Sequence, residues 1–571
     1  MGYRWLERGV ADQRNALLYQ QQFGVNNLTA HIASQRDLGD QPANYFSPTL
    51  RACLPNPMHL LDMDKGIARI ARAIIKQEKI TIFGDYDVDG ATSTAVLLRY
   101  FADLGIGADF YIPDRLQEGY GPNCEAFAKI AANGTKLIIT VDCGITSHQP
   151  ILEAKNHQVD VIVIDHHMST THLPEAVAVI NPNRYDEQSP HQYLAGVGVT
   201  YLTVVALNGY LLKQGYSKLP QQHLLNYLDL VALGTVCDVV PLRGANRAFV
   251  TQGIKILRNR NNLGLKALAD VNMLEEPPDT YHLGYVLGPC INAGGRIGNS
   301  SLGVRLLSAD YEHEAIAIAK ELRQLNSKRQ EIEKQSLDEA KQQISDQADT
   351  HTMALSAGSE HWHKGVIGIV AGRIKDDYAK PTAIFSYDKQ RGVATGSLRS
   401  VSGISVGAII QKAVHDGIAI AGGGHAMAGG ISIKLEQMPL WQQFFNSCVS
   451  DAHTAETLNP TRFYDYQISE QELTLANIRN ISKLAPFGVG NPKPQFIYCS
   501  HIEGVEVLKE QHLRCRLNNG RIAMAFRCMD NNLGKFLSKQ PKGKLNFLVS
   551  ANIDSWLGRE SLKLVINDVA I

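Results

Sequence analysis

No run of apolar residues in this sequence approaches the ~20 that a membrane-spanning helix requires. The first residues, MGYRWLERGV, lack the apolar stretch of a secretory signal. Leu6 stands where a myristoylation site needs Ser or Thr, so lipid anchoring by that route is excluded. The cytoplasm is therefore the expected compartment. None of the 9 cysteines forms a CxxC pair, which removes the usual grounds for a structural zinc site or a disulfide framework. Free thiols are expected, with Cys143 and Cys290 as small core residues. Net charge is also missing: 56 basic residues balance 56 acidic ones. Aromatics make up only 7%, so dense base stacking is not expected. No internal repeat or low-complexity tract is evident.

At 571 residues the chain is too long for one hydrophobic core, and several domains are expected. Residues 1–50 are polar and irregular and read as an N-terminal extension. Four β-rich runs follow, at 79–83, 135–141, 159–164 and 176–180, with helical stretches between them. That alternation predicts a parallel α/β domain over 51–310. Residues 311–347 carry no Gly or Pro and a weak helical stripe, which predicts a long connecting helix. A second α/β domain is expected over 348–440, ending in the Gly-rich AGGGHAMAGG. Residues 455–571 alternate in strand fashion, and HLRCRLNNGRIAMAFR reads as two strands joined at an Asn-Gly turn. A small β-barrel of the OB type is expected there. The fold class is thus α/β, with two α/β domains joined by a long helix and a C-terminal OB-fold β-barrel.

Charge is unevenly spread. Residues 511–550 hold Arg514, Arg516, Arg521, Arg527, Lys535, Lys539, Lys542 and Lys544 against Asp530 alone, eight minus one or +7. With Phe526 and Phe536 nearby, that stretch suits single-stranded nucleic acid, although a solvated basic face would look the same.

Acidic and imidazole groups recur where the predicted strands end. GDYDVDG supplies Asp85, Asp87 and Asp89; VDCG supplies Asp142; DHH supplies Asp165, His166 and His167. Asp238 follows the apolar run in LGTVCDVVPL. In open α/β sheets, ligands bind beyond the carboxyl ends of the strands, so these segments converge on one crevice. A calcium loop of the EF-hand kind is excluded because its twelfth position is Val96 rather than Glu. Any single Asp here could be a helix cap, and a His pair could be structural. The conjunction favours cations, because clustered carboxylates repel unless neutralised. Oxygen-rich ligands with one or two imidazoles suit two Mn²⁺ or Mg²⁺ ions, as in two-metal phosphoryl chemistry.

Arginines with nearby glycines or hydroxyls offer grips for phosphate. Arg115 lies in IPDRLQEGYG and Arg296 in INAGGRIGN. Ser397 and Arg399, in TGSLRS, share one face if that segment is extended. Arg373, in GIVAGRIKDDY, is placed early in a helix. His425 sits in a Gly run whose amides could cradle an anion, or else in a tight turn as a buried structural His.

GDYDVDG, VDCG, DHH and Asp238 together resemble the motifs of the DHH phosphoesterase superfamily, and GGGHAMAGG resembles its DHHA1 companion domain. With PDRLQEGYG, NAGGRIGN, GSLRS and the C-terminal barrel, the resemblance narrows to the RecJ family and covers residues 50 to the end. It implies that Asp87, Asp89, Asp142, His166 and Asp238 hold metal, with Asp142 bridging two ions. Asp85 and Asp165 either ligate or orient ligands. His167 and His425 are implied at the scissile phosphate, and Arg115, Arg296, Ser397 and Arg399 at a 5′-phosphate, with Arg373 on the backbone. The implied activity is 5′→3′ hydrolysis of single-stranded DNA to 5′-mononucleotides, in repair and recombination. A helicase and single-strand-binding protein are the implied partners, and a channel too narrow for duplex the implied source of strand preference. The rivals are a small-molecule phosphodiesterase of the same superfamily and a DNA-binding relative that has lost its metals.

Overall fold

The computed structural model describes residues 3–115, 117–217, 224–347, 352–452, 461–556 and 559–570. The expected boundaries at 348 and 455 fall outside these residues. The chain divides into two units, one of Gln41–Glu331 with Pro486–Pro492, the other of Met1–Asp40, Ile332–Ala485 and Lys493–Ile571.

The first unit is built on five parallel strands: β1 (Ile80–Gly84), β2 (Ala108–Tyr111), β3 (Leu137–Val141), β4 (Asp160–Ile164) and β5 (Ala178–Ile180). Their order across the sheet is β2-β1-β3-β4-β5. Every residue of β1 and β3 is buried, as both faces of a parallel sheet require. This explains why the strands read as continuous apolar runs rather than as alternation. The order reverses at β1, since β2 pairs on one side of it and β3 on the other. A ligand crevice is expected outside the carboxyl ends of strands that flank such a reversal. Asp85 directly follows β1 and Asp142 directly follows β3.

Helices cover this sheet. Val88–Asp103 follows β1 at once, because Asp87 caps it: the Asp87 carboxylate accepts from the amides of Asp89 and Gly90 at 2.9 and 3.1 Å. Gly196–Lys213 and Leu228–Cys237 are apolar all round and largely buried, and Asp238 stands at the C-terminal end of the second. The segment 486–492 joins this unit through local bonds, Leu242 N–H to the Val489 carbonyl at 2.8 Å and Tyr45 O–H to Asn491 Oδ1 at 2.7 Å.

The long helix runs Glu312–Gln347, as its lack of Gly and Pro predicts. In the second unit, strands Leu355–Ser359, Thr382–Asp388, Val393–Arg399, Ala421–Gly424 and Ala428–Lys434 form a mixed sheet. Only the pairing of the first two is parallel. A further seven-stranded mixed sheet includes His512–Leu517, Ile522–Ala525, Leu545–Trp556 and Arg559–Ala570. The Asn-Gly turn falls where it was expected, with Asn519 and Gly520 both at φ 74°.

The first 50 residues are more ordered than their polar composition predicts. Gln13–Phe23 and Asn27–Ser34 are helices with side-chain caps from Asp12 and Asn26. Strand Arg4–Glu7 pairs in parallel with Thr461–Tyr464, and Arg8 bonds the fully buried Asp465 at 3.0 Å. The partners of Arg4–Arg8 lie more than 400 residues away, so no local pattern announces them. All nine cysteines are free, and Cys143 and Cys290 are buried as expected. Among the described residues no helix is long and apolar enough to cross a membrane.

Candidate metal centre and phosphate groups

Beyond β1, β3 and β4 the predicted ligands meet. Asp142, His166 and His167 bring ligand atoms within 4.8 Å of one another, as do Asp89, His166 and Asp238, and Asp85, Asp87 and Asp142. His166 Nε2 lies 3.2 Å from Asp142 Oδ1, 3.6 Å from Asp238 Oδ2 and 3.9 Å from Asp89 Oδ2. Asp142 holds a left-handed backbone, φ 57°, which a short polar side chain tolerates better than most. Its carboxylate is thereby turned into the cluster.

The imidazole is set for coordination by its other nitrogen. His166 Nδ1 lies 3.2 Å from the Leu194 carbonyl, which can only accept, so the proton sits on Nδ1 and the Nε2 lone pair faces the carboxylates. Burial, with the neighbouring His167 charge, lowers the His166 pKa to about 4, so the ring is neutral at neutral pH.

Asp165 does something different. It is fully buried and accepts four bonds: from the Ile145 amide, the His166 and His167 amides, and His167 Nδ1, at 2.7–3.1 Å. Burial alone would raise its pKa, but the His167 bond and charge outweigh it and hold the carboxyl at about 2. With its oxygens so occupied, Asp165 orients the two histidines. His167 itself is raised to about 9, since Asp165, with Asp85 and Asp87, outweighs its burial.

The other carboxylates are not compensated in this way. Asp85 Oδ1, Asp142 Oδ1, Asp238 Oδ2 and His166 Nε2 are buried atoms without a hydrogen-bond partner. Burial, then repulsion from Asp89, Asp87, Asp238 and Asp85, drives the Asp142 pKa far above the usual carboxylate range. Burial, then repulsion from Asp89, Asp87 and Asp165, raises Asp238 to about 10. Asp89 reaches about 7, by burial and Asp87, although the Gly196 and Val197 amides bond both its oxygens at 2.7 and 2.9 Å. Orphaned buried acceptors that repel one another are what divalent cations would satisfy. The donor set, carboxylate oxygens with one neutral imidazole, fits hard divalent ions such as Mn²⁺ and Mg²⁺.

Three contributors escape sequence reasoning. The Leu194 carbonyl fixes the His166 tautomer through the backbone and leaves no side-chain signal. Gly196 allows its helix to approach, because a Cβ there would lie 2.9 Å from Asp142 Oδ1 and 3.0 Å from Asp89 Oδ2. Tyr120 places its hydroxyl 3.3 Å from His167 Nε2 and 3.3 Å from the Asp142 carbonyl. The GVG of 196–198 and the EGYG beside Arg115 are the signals that could have found the last two.

Of the phosphate candidates, Arg115 stacks over the Tyr86 ring at 5.0 Å, next to Asp85 and Asp87. Arg296 ends the helix Gly288–Ile297. Burial, then the like charges of Arg115 and Arg329, lowers its pKa to about 10. Guanidinium groups gathered near one point favour an anion between them. In the second unit, Ser397 and Arg399 do share one face of Val393–Arg399, and Arg399 Nη1 donates to Ser397 Oγ at 3.1 Å. His425 is exposed in the turn after Ala421–Gly424, so a buried structural role is excluded. Arg373 lies in the middle of Ile367–Tyr378 rather than early in it, and its guanidinium pairs with Glu333 of the long helix.

Folding also changes the meaning of the +7 stretch. Arg514 pairs with Glu506, Arg516 with Glu503 and Arg521 with Glu470, all acidic residues outside 511–550. Lys535, Lys539, Lys542 and Lys544 make no ion pair among the described residues.

Residues 79–235 match the DHH family, N-terminal domain, residues 349–451 the DHHA1 domain and residues 464–568 the RecJ OB domain. The single-stranded-DNA-specific exonuclease RecJ of Bacillus subtilis is 33% identical over 580 residues, spanning 100% of this chain and 71% of that protein. The chain belongs to the RecJ family. The RecJ of Haemophilus influenzae is 35% identical over 78% of this chain and 79% of its own length. Among solved structures, RecJ of Thermus thermophilus in complex with Mn²⁺ superposes with a TM-score of 0.81 at 27% identity, covering 100% of this chain and 79% of that one. The RecJ fold, with DHH, DHHA1 and OB domains, is thus the fold of this chain.

Proposed function

We propose that this RecJ-family chain is a metal-dependent exonuclease that degrades single-stranded DNA in the 5′→3′ direction to 5′-mononucleotides. The observation that carries the chemistry is the uncompensated cluster of Asp85, Asp142, Asp238 and His166, whose buried acceptors lack partners. Asp85, Asp87, Asp89, Asp142, His166 and Asp238 would hold two Mn²⁺ or Mg²⁺ ions, and Asp142 and His166 each belong to two of the three ligand groups. Solved RecJ structures carry each of these ions. Bound cations supply positive charge and Lewis acidity at the phosphoryl group.

The protein's own groups do the rest. Neutral His166 keeps its lone pair toward the carboxylates, and Asp165 fixes both histidines. His167, anchored through Nδ1 to Asp165, presents its other ring nitrogen for a hydrogen bond to a phosphoryl oxygen. Arg115 and Arg296 of the first unit and Ser397 and Arg399 of the second serve as phosphate grips. His425 adds a contact to the scissile phosphate and Arg373 one to the backbone. The curated relatives are named for single-stranded DNA, which supports polymer over a small phosphodiester. Single-strand-binding protein and a helicase are the partners such an enzyme calls for, because they expose and hold its substrate. Nine free thiols suit the reducing cytoplasm.

Digestion of 5′- and 3′-labelled single strands with Mn²⁺, Mg²⁺ or chelator tests this reading. Early release of labelled mononucleotide from the 5′ end, abolished by chelator, is the expected result. Release from the 3′ end, or equal cutting of blunt duplex, would overturn it. Preference for a dinucleotide over a long strand in competition would point instead to a small-molecule phosphodiesterase.

A further inference from the structure

Two large aromatic rings stand in solvent on the first unit. Tyr281 and Tyr285 are 60% and 75% exposed, yet stack on each other with centroids 5.3 Å apart and planes 27° apart. Tyr281 directly precedes, and Tyr285 lies within, a π-helical stretch, His282–Leu287, which continues directly into the helix Gly288–Ile297. π-helical turns are rare and often mark functional sites.

This helix is tied to the candidate metal centre at two points. Cys237, adjacent to Asp238, donates its thiol to the Leu283 carbonyl at 3.4 Å. Gly288 has room only for hydrogen, because a Cβ there would lie 2.4 Å from Cys237 Sγ. The tyrosines therefore flank Leu283 on the helix that touches the Asp238 segment. The other end of the same helix carries Arg296. Arg296 stands eleven positions after Tyr285, about 16 Å along the helix. The exposed aromatic pair and the grip for a terminal phosphate thus lie along one continuous helical element, which touches the Asp238 segment through Cys237.

We propose that Tyr281 and Tyr285 form a nucleobase-stacking platform for the strand on the 3′ side of the scissile bond. The inference rests on the exonuclease reading above and adds a substrate contact to it. Ring faces accept any base, so such a platform holds the strand without selecting sequence, as a processive degrader needs. Two tyrosines suffice for this in a chain otherwise sparse in aromatics.

The test combines base deletion with ring deletion. Steady-state digestion is measured on single strands bearing abasic sites at successive positions from the 5′ end, with the wild-type chain, the Tyr281→Ala/Tyr285→Ala variant and the Tyr281→Phe/Tyr285→Phe variant. In the wild type, abasic sites over the platform raise KM by about 5- to 100-fold. The alanine variant starts with that raised KM and loses sensitivity to the same positions, while the phenylalanine variant behaves as wild type. A wild-type KM in the alanine variant, or undiminished sensitivity to the same abasic sites, overturns the platform. A wild-type chain that releases no nucleotide from any single strand overturns the exonuclease reading instead. Thermal melting of each variant separates a folding defect from a binding defect.

Discussion

The first unit and the C-terminal sheet both concentrate charge, and they treat it in opposite ways. In the C-terminal sheet, Arg514, Arg516 and Arg521 each meet a glutamate on a neighbouring segment, in exposed or half-exposed pairs. In the first unit, Asp85, Asp142 and Asp238 are buried against one another with unpartnered oxygens. Paired surface charges stabilise a fold by very little. Buried like charges destabilise it, and are tolerable where a ligand of opposite charge completes them. The difference teaches that a run of one sign along the chain is a poor guide to function. Charge left uncompensated in space is the better one.

The largest test of this contrast is Asp142→Asn, since Asn also tolerates the left-handed backbone there. Nuclease activity should fall by about 10³-fold or more. In chelator the same variant should be more stable than wild type by about 1–2 kcal/mol, because Asn avoids the cost of holding a buried carboxyl protonated at neutral pH. Mn²⁺ at 100 times its dissociation constant should then stabilise the wild type by about 2.7 kcal/mol and the variant by less. If Asn lowers stability in chelator, the cluster is not a store of repulsion and the contrast fails.

Gly196→Ala should cost about 100-fold in activity, by pushing Asp142 and Asp89 out of place. Denaturant titration should show a loss of about 1–3 kcal/mol. Asp165→Asn should reduce Mn²⁺ affinity and activity by about tenfold, read by calorimetric titration and nucleotide release, because the histidines lose their fixed orientation. An effect as large as that of Asp142→Asn would make Asp165 a ligand.

The smallest effects should lie in the basic stretch. Arg514→Ala should change stability by less than about 0.5 kcal/mol. Lys542→Ala/Lys544→Ala should reduce the salt dependence of single-strand binding, by about 0.7 in log–log slope per lysine that contacts a phosphate. Equal salt slopes for the arginine and lysine variants would remove the distinction between paired and unpaired charge.

Sequence by itself determined which donors exist and where they stand. Asp85, Asp142 and Asp165 directly follow apolar strands because a parallel sheet buries its strands and frees their carboxyl ends. The long helix over 312–347 was also legible, since it lacks every residue that would stop it. The roles within the site were not. Asp142 and Asp165 both follow such a strand, yet one carboxylate has an orphaned oxygen and the other accepts four bonds. The His166 tautomer depends on a carbonyl 28 residues away, and the pairing of three arginines of the basic stretch on glutamates outside it. The order in residues 1–40 depends on strand Thr461–Tyr464 and on Asp465. Only the tertiary structure decided these points, because lone pairs and charges are satisfied through space, by whichever segments the fold brings within a few ångströms.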